Sequence, residues 1–330
     1  MLTSSYPSED GDPSGHFVHT EVQALRGAGH SVTVLYAGPR RVPSLDPPTV
    51  AAEVALGGDE LFGSPGAWPR LVQDPRRIRG LLRASCRVLR ERRSLATRPP
   101  PQRIIAHWLF PAGLLWALLL RRPGVDLEIV LHGSDLRLLL LAPAWLRHAL
   151  LLHLKRRAAR FRLVSHAMRA ELLAAAPRSL STWLEEARVE ASPIRVDVTH
   201  SQAQAREVLQ LDPQSRVLLM VGRMIEQKRL AVAIRAALLV PSAAVYVVGE
   251  GPLATALHAA FPEVTFLGPL PRDRTLLWIR AADALINASR LEGAPTTIRE
   301  ALLLDTIAVS PLLGDLDEWS RHSERLWCVR

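Results

Sequence analysis

Along the chain, short runs of β-branched and apolar residues alternate with longer windows in which apolar positions recur every three to four residues. The short runs predict strands over 30–36, 103–106, 127–131 and 161–164 in the first half, and over 216–221, 243–248, 264–267, 284–287 and 307–310 in the second. The windows predict helices over 17–28, 167–175, 203–209, 230–239, 252–260 and 295–304. Strand–helix alternation of this kind builds a parallel sheet covered by helices on both faces. Occurring twice, it predicts α/β architecture with two doubly wound domains, residues 1–198 and 199–330, divided after the turn at Pro193. Ligands of such sheets bind beyond the carboxyl ends of the strands, so the loops there hold the candidate chemistry.

Two segments break the alternation. Residues 39–48 form a proline-rich connector. Residues 70–98 carry Arg76, Arg77, Arg79, Arg83, Arg87, Arg90, Arg92 and Arg93 around Leu81, Leu82, Val88 and Leu89, the pattern of a basic amphipathic helix. A second basic, leucine-rich stretch covers 136–160. Each reads either as a solvated helix face or as a surface that adsorbs to anionic lipid, at roughly 1 kcal/mol per basic residue.

A length of 330 residues suits two domains, and 48% hydrophobic with 22% charged residues excludes wholesale disorder. The longest charge-free apolar run near the middle, 108–120, is shorter than the roughly 20 residues of a membrane-spanning helix. No basic segment followed by an apolar one opens the chain, so the expectation is a cytoplasmic protein, free or peripheral at the inner face of a membrane. The two cysteines, Cys86 and Cys328, make neither a disulfide framework nor a thiolate metal site. A net charge of +9 favours anionic partners, although the arginine bias, with Lys155 and Lys228 the only lysines, equally reflects a GC-rich genome. Low aromatic content, 5%, argues against a nucleic-acid groove.

The candidate chemistry concentrates in the second half. The predicted strand 216–221 runs into Gly222-Arg223 and then Lys228, a glycine exit with two cations able to hold a diphosphate. The strand 243–248 runs into Gly249-Glu250-Gly251-Pro252. After the strand at 284–287 come Glu292, Gly293, Pro295, Thr296, Thr297 and Glu300, which place one carboxylate before a helix start and a second inside the helix. Unpaired N–H groups at Thr296 and Thr297 would meet an anion with the helix dipole behind them. Each piece alone is common in α/β proteins.

Together, in this order, the three pieces resemble the nucleotide-sugar-binding domain of the family 4 glycosyltransferases. That family has the GT-B fold, two Rossmann-like domains facing a cleft. The first half agrees: Ser14-Gly15-His16-Phe17 looks like the family's loop after the first strand. The segment from His107 to Gly113 is similar to one found in exopolysaccharide-type members, His132-Gly133-Ser134-Asp135 to the strand-end His-Gly-x-Asp motif, and 164–168 to its Val-Ser-x-x-Met helix entry.

The resemblance implies a retaining enzyme that moves a sugar from a nucleotide diphosphate, a UDP- or GDP-sugar, to a glycolipid or polysaccharide acceptor during cell-surface polysaccharide synthesis. By the same resemblance Arg223 and Lys228 neutralise the leaving diphosphate, Glu292 orients the sugar and His132 sits at the reacting centre. Gly15, Gly222, Gly249, Gly251, Pro295, Thr296, Thr297 and Glu300 bind the donor, with Glu300 on the ribose, and His107 and Asp135 lie on the acceptor side. The expectation is no bound cofactor and no metal, the one Asp-x-Asp, at 315–317, reading as loop. Residues 319–330 read as holding no further strand or helix, so the second domain is expected to be incomplete. Two other readings stay open: another GT-B enzyme, such as a nucleotide-sugar epimerase, or a catalytically silent binding protein.

Overall fold

The computed structural model describes residues 1–7, 12, 14–38, 53–62, 67–96 and 100–329. The connector read at 39–48 lies outside these residues. The described chain divides into two units, Met1–Pro193 and Ile194–Arg330.

The first unit is built on seven parallel strands: β1 (Leu2–Thr3), β2 (Val34–Tyr36), β3 (Glu53–Ala55), β4 (Arg103–His107), β5 (Asp126–Leu131), β6 (Ala159–Leu163) and β7 (Arg188–Val189). Their order across the sheet is β3-β2-β1-β4-β5-β6-β7. The chain therefore steps outward on one side of β1 and returns to build on the other, so a crevice opens between the carboxyl ends of β1 and β4.

The second unit repeats this plan with six parallel strands: β8 (Arg216–Val221), β9 (Ala243–Val248), β10 (Thr265–Gly268), β11 (Ala284–Ile286), β12 (Ile307–Pro311) and β13 (Leu326–Val329). The order is β10-β9-β8-β11-β12-β13, with the reversal between β8 and β11. The period-two alternation of β8 explains its place in the centre. Val217 and Leu219 pack with Ile279, Ile298 and Leu316 on one face, while Leu218 and Met220 pack with Ile234, Leu257 and Phe261 on the other. Both faces are covered, as the alternation of strands and helices requires.

Three readings are corrected. Residues 319–330 are not devoid of structure: a helix, Leu316–Arg321, leads to β13, which pairs in parallel with β12. Asp315 and Asp317 accordingly flank a helix start rather than lying in a loop, and Asp317 pairs with Arg321. The basic stretch at 70–98 is not one helix. Asp74 turns its carboxylate onto the Arg76 N–H at 3.0 Å ahead of Pro75, dividing it into Ala67–Gln73 and Ile78–Ala96. Pro143 likewise separates Ser134–Leu141 from Ala144–Arg156 in the second basic stretch. Among the described residues no helix is long and apolar enough to cross a membrane.

Candidate active site

In the second unit the loops after β8, β9, β11 and β12 converge beside the topological reversal. Gly222 leaves β8 at φ 155°, and an added Cβ on Gly249, itself at φ 132°, would sit 2.0 Å from the Gly222 carbonyl oxygen. Gly251 is crowded in the same way by Met224, whose backbone oxygen would be 2.6 Å away. Glycine at these positions lets two strand exits lie against one another. The loop after β8 is then tied to the loop after β11. The Gln227 side chain donates to the Leu291 carbonyl at 3.0 Å, and the Arg290 N–H donates to the Gln227 carbonyl at 2.8 Å.

This stitching brings Lys228 Nζ within 2.6 Å of Glu292 Oε1. Arg223 is exposed beside the pair and within electrostatic reach of Glu292. The next helix, Thr296–Leu303, begins after Pro295 with no side-chain cap and no acidic residue in its first turn. An anion is the natural complement of such a start. Glu300 lies in that helix and is 3% exposed. Its carboxylate is bonded by the Arg272 guanidinium at 2.5 Å, and Arg272 also donates to the Arg195 carbonyl at 2.7 Å.

In the first unit the helix His16–Gly27 starts at Gly15, φ 62°. A Cβ there would lie 2.2 Å from the Ser5 carbonyl oxygen, so the loop after β1 closes on this helix only with glycine. His132 follows β5, and Gly133 (φ 106°) turns the chain into the helix Ser134–Leu141. Asp135 folds back over that turn. Its Oδ1 accepts the N–H groups of His132, Gly133 and Leu136 at 2.9, 3.0 and 3.0 Å, and its Oδ2 accepts that of Leu109 at 3.0 Å. Burial raises the Asp135 carboxyl against the pull of these bonds.

His107, at the end of β4, is 0% exposed and lies with its Nδ1 3.0 Å from His132 Nε2. Phe17 and Trp108 each place a ring centroid 4.8 Å from that of His132. Loss of water, with the positive charge of Arg162 adding to it, lowers His132 to about 3. His107 is held well below its usual value by burial and by His132. Both imidazoles are therefore neutral near pH 7.

The predicted set thus falls into two clusters, one in each unit. Arg223, Lys228, Glu292, Gly222, Gly249, Gly251, Pro295, Thr296 and Thr297 share the carboxyl edge of the second sheet. Glu300 is engaged by Arg272 rather than by the Lys228–Glu292 pair. His132 and Gly15 lie on the carboxyl edge of the first sheet. His107 and Asp135, assigned to the acceptor side, are both below the surface: His107 stands behind His132, and Asp135 braces the loop. Arg272 and Glu21 are absent from the sequence reading. Arg272 belongs to a helix, Arg272–Ala281, that was not read. Glu21 carries a legible signal, a carboxylate on the buried stripe of Val18 and Val22.

A family profile described as Glycosyltransferase Family 4 matches residues 14–183, just over half of the chain. A second, described as Glycosyl transferases group 1, matches residues 215–330. A D-inositol 3-phosphate glycosyltransferase of Mycolicibacterium gilvum is 33% identical over 149 residues, covering 38% of this chain and 34% of that protein. The chain thus matches about a third of the length of this relative. Among solved structures, sucrose-phosphate synthase from Thermosynechococcus elongatus superposes with a TM-score of 0.72 at 16% identity, covering 99% of this chain and 84% of that one. The Anabaena protein HepE, solved with UDP and glucose, gives 0.67 at 17% identity, with 99% and 84% covered. At such identities these likenesses concern the fold. The chain belongs to glycosyltransferase family 4 and has the GT-B fold.

Proposed function

We propose that the protein transfers a sugar from a nucleotide diphosphate donor, a UDP- or GDP-sugar, to a lipid-linked or saccharide acceptor, retaining the anomeric configuration, in cell-surface polysaccharide synthesis. The observation that carries this reading is the Lys228–Glu292 contact of 2.6 Å beside Arg223, at the sheet's reversal point and next to an uncapped helix start. As the bond to the leaving diphosphate breaks, negative charge grows on its oxygens. Arg223 and Lys228 meet that charge, with the N–H groups of Thr296 and Thr297 as further partners. The two cations do the work that a divalent ion does elsewhere, so no metal enters the proposed chemistry. Glu292 accepts hydroxyl protons of the transferred sugar once Lys228 turns to phosphate. Glu300 takes the ribose hydroxyls, with Arg272 holding its carboxylate in place. His132 faces the sugar, and the leaving phosphate accepts the proton of the incoming hydroxyl.

The acceptor is brought by a membrane face. On the helix Ile78–Ala96 the positions Ile78, Leu82 and Leu89 are exposed, Leu82 by 60%, and Arg79, Arg83 and Arg90 are exposed next to them. An exposed apolar stripe flanked by arginines suits the inner face of a membrane rich in anionic lipid. Transfer assays with Arg223→Ala and Glu300→Ala test the reading. Each variant is expected to lose about 100-fold or more in kcat, and turnover at the level of the unaltered protein in either one removes the assigned role.

A further inference from the structure

Behind His132 runs a buried chain of side chains drawn from four strands and a helix of the first unit. His132 Nε2 lies 3.0 Å from His107 Nδ1, and the two rings are within 15° of parallel. The other nitrogen of His107, Nε2, faces Glu21 Oε2 at 3.7 Å. The second oxygen of Glu21 is bonded by the Arg162 guanidinium, whose Nε lies 3.1 Å from Glu128 Oε1. Arg188 approaches the far oxygen of Glu128 at 3.8 Å. Glu21 is 6% exposed, Arg162 4% and His107 0%, so water does not screen these groups. Nothing in the proposed transfer chemistry uses Glu21, Arg162 or Glu128. A buried carboxylate and guanidinium are costly to keep without a purpose or a partner.

We propose that Glu21 and His107 are positioning residues that fix the tautomer of His132, so that His132 presents a bare Nδ1 as a hydrogen-bond acceptor. The inference rests on the reading of His132 as the residue facing the sugar. Arg162 keeps its proton and lies against Glu21. Burial raises the Glu21 carboxyl, while the Arg162 guanidinium bonded to it pulls the other way and favours the carboxylate, a form that can only accept. His107 Nε2 stands 3.7 Å from Glu21 Oε2, too far for a hydrogen bond, but the field of a carboxylate there favours the tautomer with the hydrogen on Nε2. A neutral imidazole has a single N–H, so His107 Nδ1 is an acceptor, and His132 Nε2 donates to it. The Nδ1 of His132 is left with its lone pair. A sugar hydroxyl can donate a hydrogen bond to that lone pair, and the imidazole accepts the bond while staying neutral.

Imidazole nitrogen NMR on the 15N-histidine-labelled full chain reads this directly, with the His132 signals assigned by their loss in His132→Gln. In the unaltered protein Nε2 of His132 is expected protonated and Nδ1 bare. Glu21→Gln, whose amide can donate to His107 Nε2, is expected to reverse both tautomers and to lower kcat about tenfold with the donor KM little changed. Glu21→Asp is expected to restore the original tautomer and part of the rate. A protonated Nδ1 on His132 in the unaltered protein overturns the inference, and this measurement needs no variant to fold. An unchanged tautomer in a folded Glu21→Gln protein overturns it as well. If His132→Gln transfers sugar normally, the sugar-facing reading fails while the tautomer result stands on its own.

Discussion

At the scale of single residues, the two stacked imidazoles give the protein a definite response to acid. An unfolded histidine titrates near 6.5, whereas folded His132 is lowered to about 3 and His107 lies well below its usual value. As pH falls through 6.5, the unfolded chain takes up protons that the folded chain refuses. The stability these groups contribute is fully present above 6.5 and declines below it, at about 1.4 kcal/mol per pH unit for each histidine. Glu21 and Asp135, both raised by burial, act in the opposite sense once the pH approaches their range. Equilibrium urea unfolding at pH 7 and pH 5.5 is expected to show the midpoint falling. The fall should shrink by about half in His132→Gln, and an equal fall would mean that His132 is not held neutral. The residue scale is also where sequence reading reaches its limit. Lys228 and Glu292 were legible because each follows a strand end at a glycine exit, and local pattern marks both. That Glu300 is matched by Arg272, 28 positions away, is a fact of packing that no spacing announces.

Among the elements, β8 and β9 were legible to the residue because their apolar runs are bounded on both sides by polar turns. The strands that no run marks, β1, β3, β7 and β13, are two to four residues long, too short for a pattern to stand out; β3, β7 and β13 lie at sheet edges, and β1 is central. The helix Ile78–Ala96 was legible in its arginines. Its division from Ala67–Gln73 turned on Asp74 and Pro75, a cap followed by a residue that begins a helix. Its exposed stripe carries a prediction of its own. Leu82 and Leu89 are 60% and 44% exposed, so replacing both with glutamate leaves the fold intact. Sedimentation with vesicles containing phosphatidylglycerol is expected to drop at least tenfold in Leu82→Glu/Leu89→Glu. Undiminished sedimentation would take this helix off the membrane.

For the whole molecule, two sheets of the same winding order place two clusters of candidate site side chains at the carboxyl edges of their strands. The cations and carboxylates assigned to the donor belong to Ile194–Arg330 alone. A nucleotide sugar should therefore stabilise that unit by mass action, by about 2.7 kcal/mol at one hundred times its dissociation constant. Calorimetric melts with UDP-, GDP- and ADP-sugars are expected to show an upward shift for one base, abolished by Arg223→Ala. No shift with any of them would remove the second unit from donor binding.

Lys228 and Glu292 stand 64 positions apart and meet only because the chain lays down β9 and β10 on one side of β8 before returning to add β11 on the other. During synthesis the lysine emerges first, and its carboxylate partner leaves the ribosome seconds later. A growing chain halted in the helix Arg272–Ala281 holds Lys228 without Glu292, so on the proposed donor reading the cradle is incomplete until the sheet is nearly finished. Ligand capture thereby reports that folding is done and cannot guide its early steps.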